Sequence, residues 1–184
     1  MTHFTRRTPD GDTHERAVCD QCGYVAYENP KVVVGSVVAH EGKVLLCRRA
    51  IEPRRGYWTI PAGYLELQET VEEGARREAL EESGARLKLD GILAVFSISR
   101  IGQVQVIFRA RFDGAADFAP GVESLDVRLF DWADIPWNEL AFPSVHWSLR
   151  AWQAAGDGPL GAPAGNPPTD RRGLSPETPV EAST

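Results

Sequence analysis

Apolar positions along this chain fall into short runs with the period of strands. From Lys31 the sequence reads KVVVGSVVAHEGKVLLCRR, in which two β-branched runs flank the short segment His40-Glu41-Gly42. This pattern predicts two strands joined by a short connection. Further along, RLKLDGILAVFSISR, QVQVIFRARF and VRLFDW also have strand character. In the second of these, Val104, Val106 and Phe108 alternate with residues 103, 105 and 107, as in a half-buried strand.

Two other stretches have the period of a helix. Residues 70–83 follow the loop IEPRRGYWTIPAG, and residues 144–155 place Val145, Leu149 and Trp152 on one side. Strands, a long helix, more strands and a closing helix predict an α/β fold, an α/β/α sandwich, over residues 31–155. Residues 1–30 form a polar, turn-rich arm with a tight turn at 9–12. Residues 156–184 are rich in Gly, Pro, Ser and Thr without an apolar period, and we expect them to be disordered.

Composition narrows the class of protein. The 184 residues suffice for one domain with appendages, and 42% hydrophobic with 25% charged residues is typical of a globular protein. The formal net charge of −6 argues against nucleic-acid and membrane-surface partners. No apolar run approaches the length of a membrane span, and the N-terminus lacks the apolar core of a secretory signal. We therefore expect a cytoplasmic protein.

Candidate chemistry is concentrated in the polar stretch GYLELQETVEEGARREALEESGA, residues 63–85. In a helix, Glu78, Glu81 and Glu82 share one face at i, i+3 and i+4. Three carboxylates on one face repel each other, and a bound cation would remove that repulsion. Hard divalent ions such as Mg²⁺ prefer such oxygen ligands. Arg77 lies four residues after Glu73 on a neighbouring face of the helix, where the two residues can support the three carboxylates.

The same stretch fits a longer pattern. It reads G-x5-E-x7-R-E-U-x-E-E-x-G-U, with Gly63 and Gly84 suiting a tight loop and a C-cap. This pattern resembles the complete Nudix box, and the resemblance to Nudix hydrolases extends over residues 31–152. It implies an α/β/α sandwich with a mixed β-sheet. It also implies hydrolysis of a pyrophosphate bond that depends on Mg²⁺ or Mn²⁺.

The resemblance further implies roles for individual residues. Glu78 and Glu82 would be the main metal ligands, with Glu81 joining them or positioning a second ion. Arg77 would hold Glu78 by a salt bridge without touching the substrate. Glu69 would bind the metal through water or close the loop structurally.

Two further positions complete the expected catalytic set. The carbonyl of Gly63 or Ala62 often completes such a metal site. The general base is either a Glu of the box or a carboxylate from a later loop, and Glu123 in APGVES is of the second kind. A solvated loop residue explains Glu123 equally well.

Cys19 and Cys22 form one C-x-x-C pair near the N-terminus. Tetrahedral zinc needs four ligands, and this spacing provides two of them. The following YVAYENPKVVVG resembles a Nudix subgroup that begins with a complete zinc ribbon, but the matching upstream region here has no cysteine. The sequence favours a remnant without zinc over zinc completed by His3, His14 or a dimer partner.

Resemblance beyond the box bears on the substrate. The stretches GYWTIPAGYLE, IGQVQVIF and LFDW-x-x-IPW-x-x-LAF match proteins that hydrolyse ADP-ribose or FAD. LAVFSISRIGQ differs from the SQPWPFP-like stretch of NADH pyrophosphatases. The proline that marks many ADP-ribose pyrophosphatases is also absent, at residues 99–101. FAD or ADP-ribose is the leading expectation. Nucleoside triphosphate housecleaning is the alternative, followed by a non-catalytic ligand-sensing domain.

Candidate substrate contacts come from the loop before the box and from aromatic residues. Arg54 and Arg55 could donate bidentate hydrogen bonds to phosphate oxygens. Tyr27 and Trp58 are candidates for stacking on a base. Further candidate arginines are Arg100 and Arg109, for which surface positions on strands are the alternative. Many Nudix relatives are homodimers in which N-terminal strands complete the partner's pocket, and residues 17–30 would suit that role.

Overall fold

A computed structural model describes residues 3–170 and residue 172, and the chain divides into two compact units between Pro30 and Lys31. The N-terminal unit contains a three-stranded antiparallel sheet of β1 (Phe4–Arg7), β2 (Arg16–Cys19) and β3 (Val25–Ala26), in that order. In the predicted turn at residues 9–12, the N–H of Asp12 donates to the carbonyl of Pro9 at 3.0 Å. This unit is thus a small sheet, which its polar sequence did not predict.

The second unit is built on a seven-stranded sheet. Its strands are β4 (Lys31–His40), β5 (Lys43–Arg49), β6 (Trp58–Thr59), β7 (Ala62–Tyr64), β8 (Leu87–Ile98), β9 (Gln103–Phe112) and β10 (Ser124–Phe130). The order is β10-β5-β4-β9-β8, with β6 pairing β5 and β7 pairing β4. Strands β4 and β9 are parallel, whereas the other pairs are antiparallel. The sheet is therefore mixed, as expected.

Two helices cover the two faces of this sheet. Helix α1 (Val71–Ser83) and helix α2 (Pro143–Ala155) match the predicted helices to within one residue at each end. Val38 of β4 packs in one core cluster with Ala79 of α1. Val37, the next residue along β4, packs in another cluster with Leu149 of α2. Because successive strand residues point to opposite faces, the two helices lie on opposite sides, which confirms the α/β/α sandwich.

The predicted strand pair around His40-Glu41-Gly42 is a tight hairpin. His40 pairs with Lys43, and the two residues between them, Glu41 and Gly42, have φ angles of 49° and 78°. Two consecutive left-handed residues are what a two-residue turn between twisted antiparallel strands requires.

Neither of the two α-helices in the described part of the chain has the length and apolar character of a membrane-spanning helix.

The C-terminal segment differs from the predicted disordered tail over residues 156–170. This segment runs along β8, the last strand of the sheet, where Ala164 forms a bridge with Ala94. The backbone N–H and C=O groups of an edge strand need partners, and this segment supplies them. Backbone pairing of this kind leaves no apolar period in the sequence. Residue 171 and residues 173–184 of the predicted tail lie outside the described residues.

Candidate active site

Helix α1 begins with a capping box. The Thr70 hydroxyl accepts a hydrogen bond from the N–H of Glu73 at 3.2 Å, and the Glu73 carboxylate accepts one from the N–H of Thr70 at 2.8 Å. This arrangement satisfies two backbone donors at the helix start. The carboxylate of Glu73 is thereby turned toward the cap. The expected brace between Glu73 and Arg77 is therefore wrong.

Arg77 instead contacts three other carboxylates. Its guanidinium donates to Glu69 at 2.7 and 3.0 Å, to Glu78 at 2.7 Å and to Glu81 at 3.0 Å. It also donates to the carbonyl of Tyr64 at 3.0 Å. The ion pair between Arg77 and Glu78 that the resemblance implies is present. A planar group with five donors can make these five bonds at once, whereas an ammonium has only three donors.

Glu69 closes the loop before the helix. Its carboxylate accepts from Arg77 and, at 2.7 Å, from the backbone N–H of Glu66. The hydrogen bonds from Arg77 lower the pKa of Glu69 to about 2, and the bond from Glu66 adds to this effect. Of the two roles expected for Glu69, these contacts are those of the structural one.

Glu82 is the most buried carboxylate of the helix, with 6% of its surface exposed. One carboxylate oxygen accepts a hydrogen bond from the backbone N–H of Ala62 at 3.0 Å. Burial raises the pKa of Glu82 to about 8, and the nearby charges of Glu78 and Glu123 act in the same direction. A carboxylate in this position favours either a proton or a cation.

The Glu78 carboxylate lies against the α-carbon of Gly63. A Cβ atom at Gly63 would overlap all three atoms of that carboxylate. Glu78 itself is half-buried, and burial raises its pKa although the hydrogen bond from Arg77 opposes the shift. The glycine that opens the sequence pattern thus makes room for the first carboxylate of its Arg-Glu pair.

Glu123 is held near these carboxylates by the end of α1. The loop before it donates from the N–H of Ala119 to the carbonyl of Ser83 at 2.9 Å, and from the N–H of Gly121 to the carbonyl of Glu82 at 3.1 Å. These bonds satisfy carbonyls that a helix C-terminus otherwise leaves unpaired. The carbonyl of Glu123 accepts from the N–H of Ala50 at 2.8 Å. Capping of the helix therefore fixes the loop beside Glu82.

A cavity of about 960 Å³ adjoins these residues. Its lining includes apolar side chains from β8, β9 and α2, among them Ile98, Ile107 and Val145. Charged residues also line it, and these are Glu52, Glu66, Glu78, Glu81, Glu82, Glu123, Arg49, Arg77, Arg100 and Arg172. The volume lies at the upper end of the range for small-molecule sites.

Of the predicted substrate contacts of the second unit, Arg100 lines this cavity, whereas Arg54, Arg55 and Trp58 lie outside its lining. Arg54 stacks over the ring of Tyr57 at 5.0 Å, and Arg55 is exposed. Trp58 is 6% exposed and packs edge-on against Phe130, so it belongs to the core. Because its ring is packed in the core, Trp58 is not available to stack on a ligand.

Two other predicted contacts have partners of their own. Tyr27, in the N-terminal unit, lies under the guanidinium of Arg16 at 5.3 Å. Arg109 donates to the carbonyls of Gly156 and Gly158 at 2.8 and 2.7 Å. Arg109 thus holds the C-terminal segment.

Arg49 is one of two cavity arginines that the sequence pattern missed, the other being Arg172. Nε of Arg49 donates to the carbonyl of Pro53 at 2.9 Å, and its guanidinium lies 5.2 Å from the centroid of Phe142. Its charge lowers the pKa of Glu82, against the larger effect of burial. The available signal was its place as the last residue of a strand that runs straight into the loop before the box.

The donor set has the chemistry of a divalent-metal site. The charges of Glu78 and Glu123 raise the pKa of Glu82, the charge of Glu123 also raises the pKa of Glu78, and all three residues line the cavity. Oxygen donors with excess negative charge suit a hard cation. Within residues 3–170 and 172, however, no three His, Cys, Asp or Glu side chains already converge as a metal site. Glu78 and Glu81 are turned toward Arg77.

The cysteine pair of the N-terminal unit forms a tight knuckle. The N–H of Gly23 donates to the carbonyl of Cys19 at 2.9 Å, and the N–H of Cys19 donates to the carbonyl of Tyr24 at 2.8 Å. Hydrogen bonds from the backbone of Cys22 and then of Gln21 lower the pKa of the Cys19 thiol. Among the residues described, neither His3 nor His14 joins the two cysteines as a third ligand.

Comparison with known proteins gives consistent matches. Residues 29–153 match the family model described as NUDIX domain, and residues 2–28 match the one described as Nudix N-terminal. A NUDIX hydrolase of known structure from Nitrosomonas europaea is 46% identical with a TM-score of 0.81, covering 88% of this chain and 92% of that one.

Two curated relatives are more distant. An ADP-ribose pyrophosphatase of Methanocaldococcus jannaschii is 31% identical over 65% of this chain and 71% of its own length. A MutT-like protein of Streptomyces ambofaciens is 39% identical over 46% of this chain. This chain spans about half the length of that second relative, at 53%.

Proposed function

We propose that this chain, which belongs to the Nudix hydrolase family, cleaves the pyrophosphate bond of a nucleoside diphosphate linked to a second moiety. FAD and ADP-ribose are the leading substrates. The observation that carries the proposal is the wall of carboxylates, Glu78, Glu82 and Glu123, along a 960 Å³ cavity that also contains arginines. A cavity of this size has room for a nucleotide with a second moiety. The relative from M. jannaschii, named as an ADP-ribose pyrophosphatase, supports the same class.

The residues present fit a Mg²⁺ or Mn²⁺ cofactor. We assign Glu78 and Glu82 as its main ligands, with Glu81 and the carbonyl of Gly63 beside them. When bound, such an ion neutralises phosphate charge and activates the attacking water. The raised pKa of Glu82 supports this assignment, because a buried carboxylate held without a cation favours its protonated form.

Other residues orient this set. The N–H of Ala62 holds one oxygen of Glu82, and Arg77 holds Glu78 and Glu81. Arg77 is itself fixed by two hydrogen bonds to Glu69. Carboxylates that bind a metal ion need such rigid support, because small displacements of their oxygens weaken metal binding.

Arg49 and Glu123 act on the substrate side of the cavity. We assign Arg49 as a donor to phosphate oxygens, because Arg49 lines the cavity and its charge acts on Glu82. We assign Glu123 as the general base that takes a proton from the attacking water. The loop that carries Glu123 is fixed to α1 by backbone hydrogen bonds, which favours it over a carboxylate already engaged by Arg77.

The test is a substrate panel in Mg²⁺ and in Mn²⁺, with product masses measured. FAD, ADP-ribose, NADH, diadenosine polyphosphates and nucleoside triphosphates form the panel. We expect AMP with FMN from FAD, or AMP with ribose 5-phosphate from ADP-ribose. Turnover restricted to triphosphates would instead favour housecleaning. A folded protein that binds nucleotides but turns none over would favour ligand sensing.

We also propose that the protein is a homodimer, as the family resemblance implies. Light scattering on a sizing column would measure the mass in solution. A species of about 20.2 kDa, the mass of one chain, would contradict the proposal.

A further inference from the structure

The segment of residues 156–170 with Arg172, called here the C-terminal strap, forms part of the sheet. The N–H of Ala164 donates to the carbonyl of Leu93, and the N–H of Val95 donates to the carbonyl of Ala164, both at 2.9 Å. Asn166 forms two further bonds of 2.8 Å with the N–H and the carbonyl of Ser97. The strap therefore follows β8 toward its C-terminal end, where β8 meets the cavity.

Both ends of the strap are anchored by side chains. At its start, the carbonyls of Gly156 and Gly158 accept from Arg109. At its end, Asp170 accepts from the indole N–H of Trp147 at 2.7 Å. Since Trp147 lies in the core on α2, the last described part of the strap is fixed to a buried residue.

The path of the strap places Arg172 beside Arg100 at the cavity. Asp170 holds the guanidinium of Arg172 through Nε at 2.8 Å. The carbonyl of Arg172 accepts from Nε of Arg100 at 3.3 Å, and both arginines line the cavity. Two positive charges against the one negative charge of Asp170 leave this wall with an excess of positive charge.

The arginine pair lies across the sheet from the carboxylates. Strands β7, β4, β9 and β8 are consecutive neighbours, with Gly63 of β7 level with Val34, Val106 and Val95. Three steps of about 4.8 Å separate β7 from β8 by roughly 14 Å. Gly63 and Glu78 lie at the first of these strands, whereas Arg100 follows the last. One cavity thus has an acidic wall and a basic wall.

We propose that Arg100 and Arg172 form an anion subsite for a phosphate monoester on the part of the substrate remote from the scissile pyrophosphate. The substrate class is then a nucleoside diphosphate derivative with an additional phosphate on its ribose. Guanidinium groups bind such a phosphate through paired, charge-assisted hydrogen bonds. The inference rests on the proposed function for the position of the pyrophosphate. The strap begins beyond residue 153, where the family match ends.

Calorimetric binding tests this without turnover. The ligands are AMP, adenosine 2′,5′-bisphosphate and adenosine 3′,5′-bisphosphate in Mg²⁺, none of which contains a pyrophosphate bond. We expect at least one bisphosphate to bind about 10- to 100-fold more tightly than AMP, as one or two hydrogen bonds between charged groups provide. The two bisphosphates distinguish a 2′-phosphate from a 3′-phosphate.

Variants assign the preference to the arginines. In Arg100→Gln with Arg172→Gln, we expect the preference to fall below about threefold while AMP affinity is kept. The control, Arg86→Gln with Arg111→Gln, removes the same charge from exposed positions outside the cavity lining and should keep the preference. Arg172→Lys should keep part of it, which separates charge recognition from loss of the strap.

Several outcomes would overturn the subsite. Equal binding of AMP and both bisphosphates by the parent protein would do so, and so would equal losses in the two double variants. A preference for bisphosphates in a protein that hydrolyses neither the panel nor a dinucleotide pyrophosphate with an added ribose phosphate would support the subsite and contradict the proposed function. Hydrolysis of FAD or ADP-ribose without that preference would support the proposed function and contradict the subsite.

Discussion

Glu82, in the last turn of α1, accepts a hydrogen bond of 3.0 Å from the backbone N–H of Ala62 on β7. The bond ties the helix to the sheet at the buried side of the carboxylate wall. One backbone donor lowers the pKa of Glu82, but burial raises it more, to about 8. The pair therefore orients a carboxylate whose negative charge is only partly compensated, which is the condition under which a cation binds.

The first prediction concerns the pH dependence of folding without metal. The pKa of Glu82 rises from 4.5 to about 8 on folding, so the folded state binds a proton that the unfolded state lacks between these pH values. The stabilising contribution of protonated Glu82 is complete below pH 4.5 and is lost as pH rises through 8. In EDTA, we expect the free energy of unfolding of the parent to fall between pH 5 and 8 relative to Glu82→Gln. The difference should be on the order of a few kcal/mol.

Urea unfolding of both proteins at the two pH values measures this. Added Mg²⁺ at pH 8 should stabilise the parent and leave Glu82→Gln unchanged. Hydrolysis by Glu82→Gln should fall about 100- to 1000-fold, because a metal contributes several kcal/mol to the transition state. A stability difference that stays constant with pH would show that Glu82 is ionised in both states.

A second prediction separates the shape of Arg77 from its charge. Arg77→Lys keeps one positive charge but cannot hold Glu69, Glu78 and Glu81 together. We expect kcat/KM to fall about 10- to 100-fold, as for groups that orient metal ligands. The neighbouring, exposed Arg76→Lys is the matched control and should change kcat/KM less than twofold. If Arg77→Lys has full activity with an unchanged metal requirement, the orienting role is wrong.

How far the sequence predicts this site depends on whether a contact is local. The i, i+3 and i+4 spacing of Glu78, Glu81 and Glu82 lies within one helix, so the pattern places them correctly. The same spacing fails for Glu73, because a capping box competes for its carboxylate. Glu69 takes its place from a loop, whose conformation no helical period describes.

Contacts that depend on distant elements lay beyond the pattern. Arg49 reaches the cavity because β5 ends there, and Arg172 because the strap pairs with β8 through backbone atoms. Trp58, in contrast, was a candidate by sequence proximity and is buried by Phe130. The fold was predictable because alternation along strands is set locally, whereas the wall opposite the carboxylates is set by tertiary structure.

The third prediction compares the two glutamates on either side of the helix start. Glu69→Gln removes the charge that anchors Arg77, and we expect kcat/KM to fall about tenfold. Glu73→Gln can still complete the capping box, so it should lower stability only slightly without changing kcat/KM. Steady-state kinetics with thermal unfolding measures both. Equal kinetic losses would mean that the helix start, and not Arg77, carries the effect.

Glu69 also contributes to the response of the fold to acid. The pKa of Glu69 is about 2 in the folded protein against a usual 4.5. Its ionised form therefore adds stability above pH 4.5 that is lost as pH falls toward 2. We expect Glu69→Gln to flatten the acid limb of the unfolding curve in that window.

The fourth prediction concerns the loop that carries Glu123. A Cβ at Gly121 would overlap the carbonyl oxygen of Glu81, so Gly121→Ala must displace the loop and weaken its bond to the carbonyl of Glu82. We expect kcat to fall about 10- to 100-fold, and Glu123→Gln to cost about 100-fold, as the loss of a general base does. Because both changes act on the same group, the double variant should be no slower than Glu123→Gln alone. Losses that multiply would show that Gly121 acts independently of Glu123, and full activity in Glu123→Gln would move the general base to another carboxylate of the cavity.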